Sequence, residues 1–278
     1  MRGPYRNVIL LIVDGLRPDA VTSRHMPALT DLFHRGWRAQ AAVTVRPSVT
    51  VAALTSLATG VSPARHGLCD TGLRSLGRIR GLRPLPSELR HLGVGTAVIT
   101  APLSGAARRM AGALLRLGGV DRLVPAPAAP GVLMDVALSH VDGNRSREFV
   151  VVYLNDADVA GHAWGWMSPA YLQAVATIDR ALEKLRALAE DPAALVIVTA
   201  DHGGGGVLPQ DHDHRHPLND AIPVGMLGGR VMPGLVSPEP VRLLDIPPTV
   251  LHSFGGTAPQ EYEGRVIHEA FMSELVYV

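Results

Sequence analysis

Three stretches of this chain are apolar with almost no interruption: residues 8–13 (Val-Ile-Leu-Leu-Ile-Val), 148–154 (Glu-Phe-Val-Val-Val-Tyr-Leu) and 195–200 (Leu-Val-Ile-Val-Thr-Ala). A strand with one wet face would alternate apolar and polar positions, whereas an unbroken β-branched run is how a strand buried on both faces of a parallel sheet reads. Each run stops at acids: Asp14-Gly15, Asn155-Asp156-Ala157-Asp158 and Asp201-His202-Gly203. Three buried strands are therefore expected to deliver carboxylates to one edge.

Between them the spacing of apolar positions predicts helices over 26–35, 51–58, 87–92, 131–141 and 169–189, the last opening on Pro169 after Ser168. Strands alternating with helices predict an α/β fold with a mostly parallel sheet, and ligands gather outside the carboxyl ends of such strands. Residues 117–130, rich in Gly, Pro and Ala, read as a surface connection or part of a small cap element within 69–130. A second Gly- and Pro-rich stretch covers 225–240, and Asp245-Ile-Pro-Pro-Thr249 reads as a loop entering a final helix. A single domain spanning residues 1–278 is the expectation.

Composition sets the class. With 47% hydrophobic and 18% charged residues the chain has enough apolar surface to fold around a large core. A net charge of +1 is far from the basic excess that neutralises nucleic-acid phosphates, so no nucleic-acid polymer is expected as a partner. Cys69 is the sole cysteine, so there is no disulfide framework, and its reading is a small buried or loop residue. The run at 8–13 is far shorter than the roughly 20 residues that span a bilayer and lacks a signal-peptide layout, so no membrane contact and a cytoplasmic location are expected.

Several groups of residues could carry chemistry. Asp158 and His162 are four apart, which brings them to one side of a helix and onto one metal. Asp201-His202 is followed by four glycines that let the chain leave close to a ligand, and Asp211-His-Asp-His-Arg-His216 adds three imidazoles within six residues. In the segment 46–60, Ser48 and Thr50 precede a helix, where each could serve as an ordinary cap. A hydroxyl there could also act as a nucleophile beside a metal, with the helix N-terminus favouring a phosphate.

In chain order, Val13-Asp14-Gly15, Thr50 ahead of Thr59-Gly60, Pro63-Ala-Arg-His66-Gly67, Asp158-x-x-Gly-His162 and Ala200-Asp201-His202-Gly203 resemble the alkaline phosphatase superfamily. Among its branches the chain is most similar to the type I phosphodiesterase and nucleotide pyrophosphatase proteins, through to Asp245-Ile-Pro-Pro-Thr249 and Glu263-Gly-Arg265. The resemblance implies a three-layer α/β/α sandwich and two divalent metal ions. Asp158, His162 and a third histidine would hold one ion; Asp14, Asp201 and His202 would hold the other, which Thr50 would touch. His212 is the third histidine by its position ten residues before Ile222-Pro223, with His214 as the alternative and His216 as a supporting or substrate-contacting residue. Such ligands suit zinc and also admit manganese or iron.

The implied reaction is hydrolysis of a phosphodiester or pyrophosphate in a small-molecule substrate, through a phosphothreonine at Thr50. A phosphomonoesterase or phosphonate hydrolase is the alternative within the same chemistry, and a non-catalytic metal-binding homologue the alternative outside it. A sulfatase is disfavoured because the segment after Thr50 lacks the Cys- or Ser-x-Pro-x-Arg pattern of that branch. The resemblance also implies an Asn three residues after the nucleophile; Ala53 stands there, which leaves diester preference open and makes Arg46, Thr55 or a backbone N–H candidate substitutes. Trp164 and Trp166 are candidates for an apolar wall, and Arg65-His66-Gly67 for ordering the loop after the nucleophile helix.

Overall fold

The computed structural model describes residues 4–70, 81–102, 118–142 and 146–272, together with Gly112 and Leu115. In chain order the strands are β1 (Asn7–Val13), β2 (Trp37–Ala39), β3 (Ala42–Val43), β4 (Val94–Thr100), β5 (Arg122–Pro125), β6 (Arg147–Leu154), β7 (Ala194–Thr199), β8 (Val224–Leu227), β9 (Leu235–Ser237) and β10 (Val241–Arg242). The α-helices are α1 (Pro27–Arg35), α2 (Thr50–Thr59), α3 (Pro63–His66), α4 (Leu85–His91), α5 (Pro130–Asp142), α6 (Asp156–Trp164), α7 (Pro169–Leu182), α8 (Pro217–Asp220) and α9 (Ile246–Ser253).

The central sheet has the order β5-β4-β6-β1-β7-β8-β2-β9, and only β8 runs against the rest. Strand β1 is buried along its whole length between β6 and β7, which is why its run has no polar break. One set of helices, α1, α5, α6 and α7, packs together, and a second set, α2, α3, α4 and α9, packs separately. The sheet between them completes the expected three-layer α/β/α sandwich.

Local chemistry accounts for the helix limits. Ser168 accepts the N–H of Tyr171 at the start of α7, with Pro169 pre-set for the first turn. The expected helix over 169–189 tightens after Leu182 into a 3-10 segment, Glu183–Leu188. Gly60 stops α2 in the left-handed conformation, where a side chain would also collide with the Tyr262 ring.

Within the range 69–130 of the expected cap, the described residues form α4, β4 and β5, and β4 and β5 form one edge of the central sheet. The stretch 117–130, read as a connection, contains β5 itself. Residues 71–80 and 103–111, which also fall within that expected cap, lie outside the described residues. Among the described residues, no helix is long and apolar enough to cross a membrane.

Candidate metal centre

Because β1 pairs in parallel register with both β6 and β7, Val13 lies beside Leu154 and Ile12 beside Thr199. Their carboxyl ends open onto one spot, where Asp14, the start of α6 and Asp201-His202 emerge together. On α6, Asp158 and His162 sit one turn apart, with Nε2 of His162 3.4 Å from Oδ1 of Asp158. Across the edge, Nε2 of His202 lies 3.2 Å from Oδ1 of Asp14 and 3.6 Å from Oδ2 of Asp201.

Two groups result. Asp158, His162 and His212 form one, and Asp14, Asp158 and His202 the other; in each, one ligand atom per residue lies within 4.8 Å of the others. Asp158 belongs to both. Thr50 opens α2 with its Oγ1 3.2 Å from Nε2 of His202, and Asp201 lies against the same imidazole. All seven residues marked in the sequence are thus brought to one place.

The three imidazoles share an orientation. His162 gives its Nδ1 proton to the carbonyl of Gln210 (3.0 Å), His202 to that of Gly203 (2.8 Å) and His212 to that of Ser48 (2.8 Å). An N–H held by a carbonyl fixes the tautomer and turns Nε2 toward the centre. Nε2 of His162 and Nε2 of His212 come within 3.1 Å, and the rings of His202 and His212 stack at 3.8 Å.

The carboxylates are crowded and under-satisfied. Oδ1 of Asp14, Oδ1 of Asp158 and Oδ2 of Asp201 are buried without a hydrogen-bond partner among the described residues. Burial, reinforced by the charge of Asp14, raises Asp158 to about 6 and lifts Asp201 well above the usual carboxylate range. For Asp14 burial acts in the same sense, but the hydrogen bond and charge of His202 and the Tyr153 hydroxyl outweigh it and hold this acid below its ordinary value. His202 resists burial because Asp201 and Asp14 face it, and it titrates at about 10. His212, buried beside His202, falls to about 4. The crowded carboxylates therefore call for positive charge at the centre, while burial keeps His212 a neutral imidazole.

Other expectations resolve around this frame. His214 points away to Asp211 at 2.7 Å and is exposed, so His212 is the histidine brought to the centre. His216 begins α8, its Nδ1 accepting the N–H of Leu218. Arg46 pairs with Asp220, and Thr55 gives its hydroxyl to the carbonyl of Val51 within α2, so the Thr55 hydroxyl is already engaged there. Ala53, one turn after Thr50 on α2, is fully buried in the core cluster. Neither Ser48 nor Thr50 caps α2 through its side chain. Ser48 instead gives its hydroxyl to the carbonyl of His212 and accepts that residue's Nδ1 proton, locking the two loops together. As expected, His66 orders the loop after α2: its Nε2–H donates to Ser56 and its Nδ1 accepts the N–H of Leu68, each at 3.0 Å. Trp164 is 70% exposed, whereas Trp166 is buried against His162 and His212.

Sequence reasoning missed Tyr153 and Tyr171. Tyr153, on β6, donates to Oδ2 of Asp14, and Tyr171, on α7, donates to the carbonyl of Gly15 at 2.9 Å. The one available signal was a phenol inside the otherwise apolar run at 149–154, two residues before Asn155.

A mostly parallel sheet with these acids and imidazoles gathered at its carboxyl edge defines a member of the alkaline phosphatase superfamily. More narrowly, the chain belongs to the family described as type I phosphodiesterase / nucleotide pyrophosphatase, whose model matches residues 8–76 and 116–249. It is 30% identical over 177 residues to the 2,3-bisphosphoglycerate-independent phosphoglycerate mutase of Synechococcus elongatus, covering 56% of this chain and 32% of that protein. This chain thus spans about a third of that relative's length. Its fold is similar to that of human ectonucleotide pyrophosphatase / phosphodiesterase 5, with a TM-score of 0.75, 13% identity and coverage of 96% of this chain and 100% of that one. A phosphonate monoester hydrolase from Silicibacter pomeroyi superposes with a TM-score of 0.70 and 16% identity over 94% of this chain and 75% of that one.

Proposed function

We propose that this chain is a two-metal hydrolase of phosphodiester or pyrophosphate bonds in small molecules, with Thr50 as nucleophile. The observation that carries the reading is the donor set itself. Three buried carboxylate oxygens without hydrogen-bond donors face the imidazole Nε2 atoms, with the Thr50 hydroxyl 3.2 Å from one of them. Leaving such oxygens unsatisfied costs roughly 1–3 kcal/mol each or more, and divalent ions would satisfy them.

Asp158, His162 and His212 would hold one ion, and Asp14, Asp201 and His202 with Thr50 the other; mixed Asp and His ligands suit zinc first. Bound there, the ions supply the positive charge that lowers the pKa of a hydroxyl and offsets charge on phosphate oxygens. Thr50 is placed by α2, and the N–H groups of Thr50, Val51 and Ala52 precede the first intrahelical bond, from Ala53 to Val49. Those free donors and the positive helix end favour a phosphate beside the Thr50 hydroxyl. Oγ1 of Thr50 forms a bond to phosphorus as the bond to the leaving oxygen breaks in line, and that oxygen departs with a proton. Water then displaces Thr50 in the same way, so two inversions leave retained configuration at phosphorus.

The test is hydrolysis of bis-p-nitrophenyl phosphate, p-nitrophenyl phosphate and p-nitrophenyl sulfate by metal-stripped protein restored separately with zinc and manganese. Metal-dependent preference for the diester is the expected result. Preference for the monoester would replace the diester reading, and stoichiometric metal with no turnover would sink the catalytic one.

A further inference from the structure

Trp166 joins three of the segments that supply ligands to the candidate centre. Its Nε1–H donates to the carbonyl of Gly15 at 2.8 Å, the residue after Asp14. Its ring meets His162 edge-on at 5.1 Å and His212 edge-on at 5.7 Å. Its backbone N–H donates to the carbonyl of Pro209 at 2.8 Å, which ties it to the segment leading to His212.

The indole sits in a seat cut from the ligand motifs themselves. A Cβ on Gly161, beside His162, would lie 2.6 Å from the ring, and one on Gly204, just after His202, would lie 2.1 Å from it. Real Cβ atoms do not approach that closely, so the glycines of both motifs leave the volume the indole fills. The backbone around Trp166 is folded back to put it there: Gly165 has φ +90° and Met167, a non-glycine residue, has φ +63°. Such a conformation at Met167 persists only where the surroundings over-determine it.

We infer that Trp166 is a positioning residue that sets the distance between the two ligand groups, holding the Asp14-Gly15 turn with its N–H and orienting His162 and His212 with its edge. The inference rests on the metal-centre reading above. An indole is rigid, with two side-chain torsions, and here it is hydrogen-bonded at one end and packed on glycines along its length. Displacing it would leave the Gly15 carbonyl to Tyr171 alone and remove the ring packed against the two imidazoles. Residues that orient ligands in this way typically change metal affinity by about 10- to 100-fold.

Cobalt(II) is the probe, because its visible absorption reports the arrangement of its ligands whether or not the protein turns over. Wild-type protein, Trp166→Phe and the control Trp164→Phe would each be titrated with cobalt(II) after metal stripping, with thermal unfolding of the metal-free forms recorded alongside. Trp166→Phe is expected to unfold cooperatively, to bind cobalt about 10- to 100-fold more weakly, to show an altered absorption band and to lose kcat more than it raises KM. Trp164→Phe is expected to match wild type. If Trp166→Phe does not fold, Gly161→Ala, which sets only a methyl against the ring, should alter the same band. An unchanged cobalt spectrum and affinity in a folded Trp166 or Gly161 variant overturns the inference while leaving the metal centre standing. Failure of wild-type protein to bind cobalt overturns both.

Discussion

The hydroxyl of Tyr153 donates to Oδ2 of Asp14 and leaves Oδ1 of the same carboxylate buried, without a partner, and 3.2 Å from Nε2 of His202. The phenol takes up one oxygen of the acid and so aims the other. Tyr153→Phe removes that constraint while keeping the ring in β6. Metal affinity is expected to fall by roughly 10- to 100-fold with little change in thermal stability, read by competition with a chelator. Unchanged affinity would show that Asp14 is held by β1 alone.

Thr50 contributes a hydroxyl to the centre and no cap to its own helix, so its removal should be felt in turnover and hardly at all in folding. Thr50→Ala is expected to lose at least about 10³-fold in kcat while still binding two equivalents of zinc. Activity near wild type would remove Thr50 from the mechanism.

Asp158 takes part in both ligand groups, so its loss should not be confined to one ion. Metal analysis of Asp158→Ala after dialysis is expected to find less than one equivalent bound per chain. A clean single equivalent would mean that Asp14, Asp201 and His202 form a self-sufficient site.

His66 is buried as the neutral imidazole, and burial lowers its pKa from the ordinary 6.5 to about 4. Between these values an unfolded chain binds a proton that the folded chain refuses, so stability is full above pH 6.5 and declines as pH falls toward 4. Urea unfolding across this window should show a shallower decline for His66→Gln than for wild type. Identical slopes would place the acid sensitivity elsewhere.

Asp179, on α7, accepts the N–H groups of Ala28 (2.9 Å) and Leu29 (2.8 Å), satisfying the first turn of α1 from another helix. Asp179→Ala strands both buried donors and is expected to cost about 1–3 kcal/mol in urea unfolding, with metal binding intact. A loss below a few tenths of a kcal/mol would show that solvent replaces the carboxylate.

How much of this was legible in the chain follows from the range of each interaction. The runs at 8–13, 148–154 and 195–200 announced β1, β6 and β7 because a strand buried on both faces leaves an unbroken apolar record. Asp158 and His162 could be paired because one helical turn separates them. The short strands β2, β3 and β9 carry no such record: two or three residues are too few for a period, and their pairing partners lie far along the chain. β4, interrupted by Gly95, was missed as well.

Within the candidate centre, the sequence by itself determined the residue types, their order and the acids at strand ends. Only the tertiary structure decided that His212 and not His214 turns inward, since that choice is made by Ser48, 164 residues away, whose hydroxyl donates to the His212 carbonyl and whose own carbonyl accepts the His212 Nδ1 proton. It also decided that Tyr153 aims Asp14 and that Trp166 fills the space left by Gly161 and Gly204. Spacing along a chain encodes contacts within a turn or a strand, whereas contacts between distant segments exist only once the sheet has set their register.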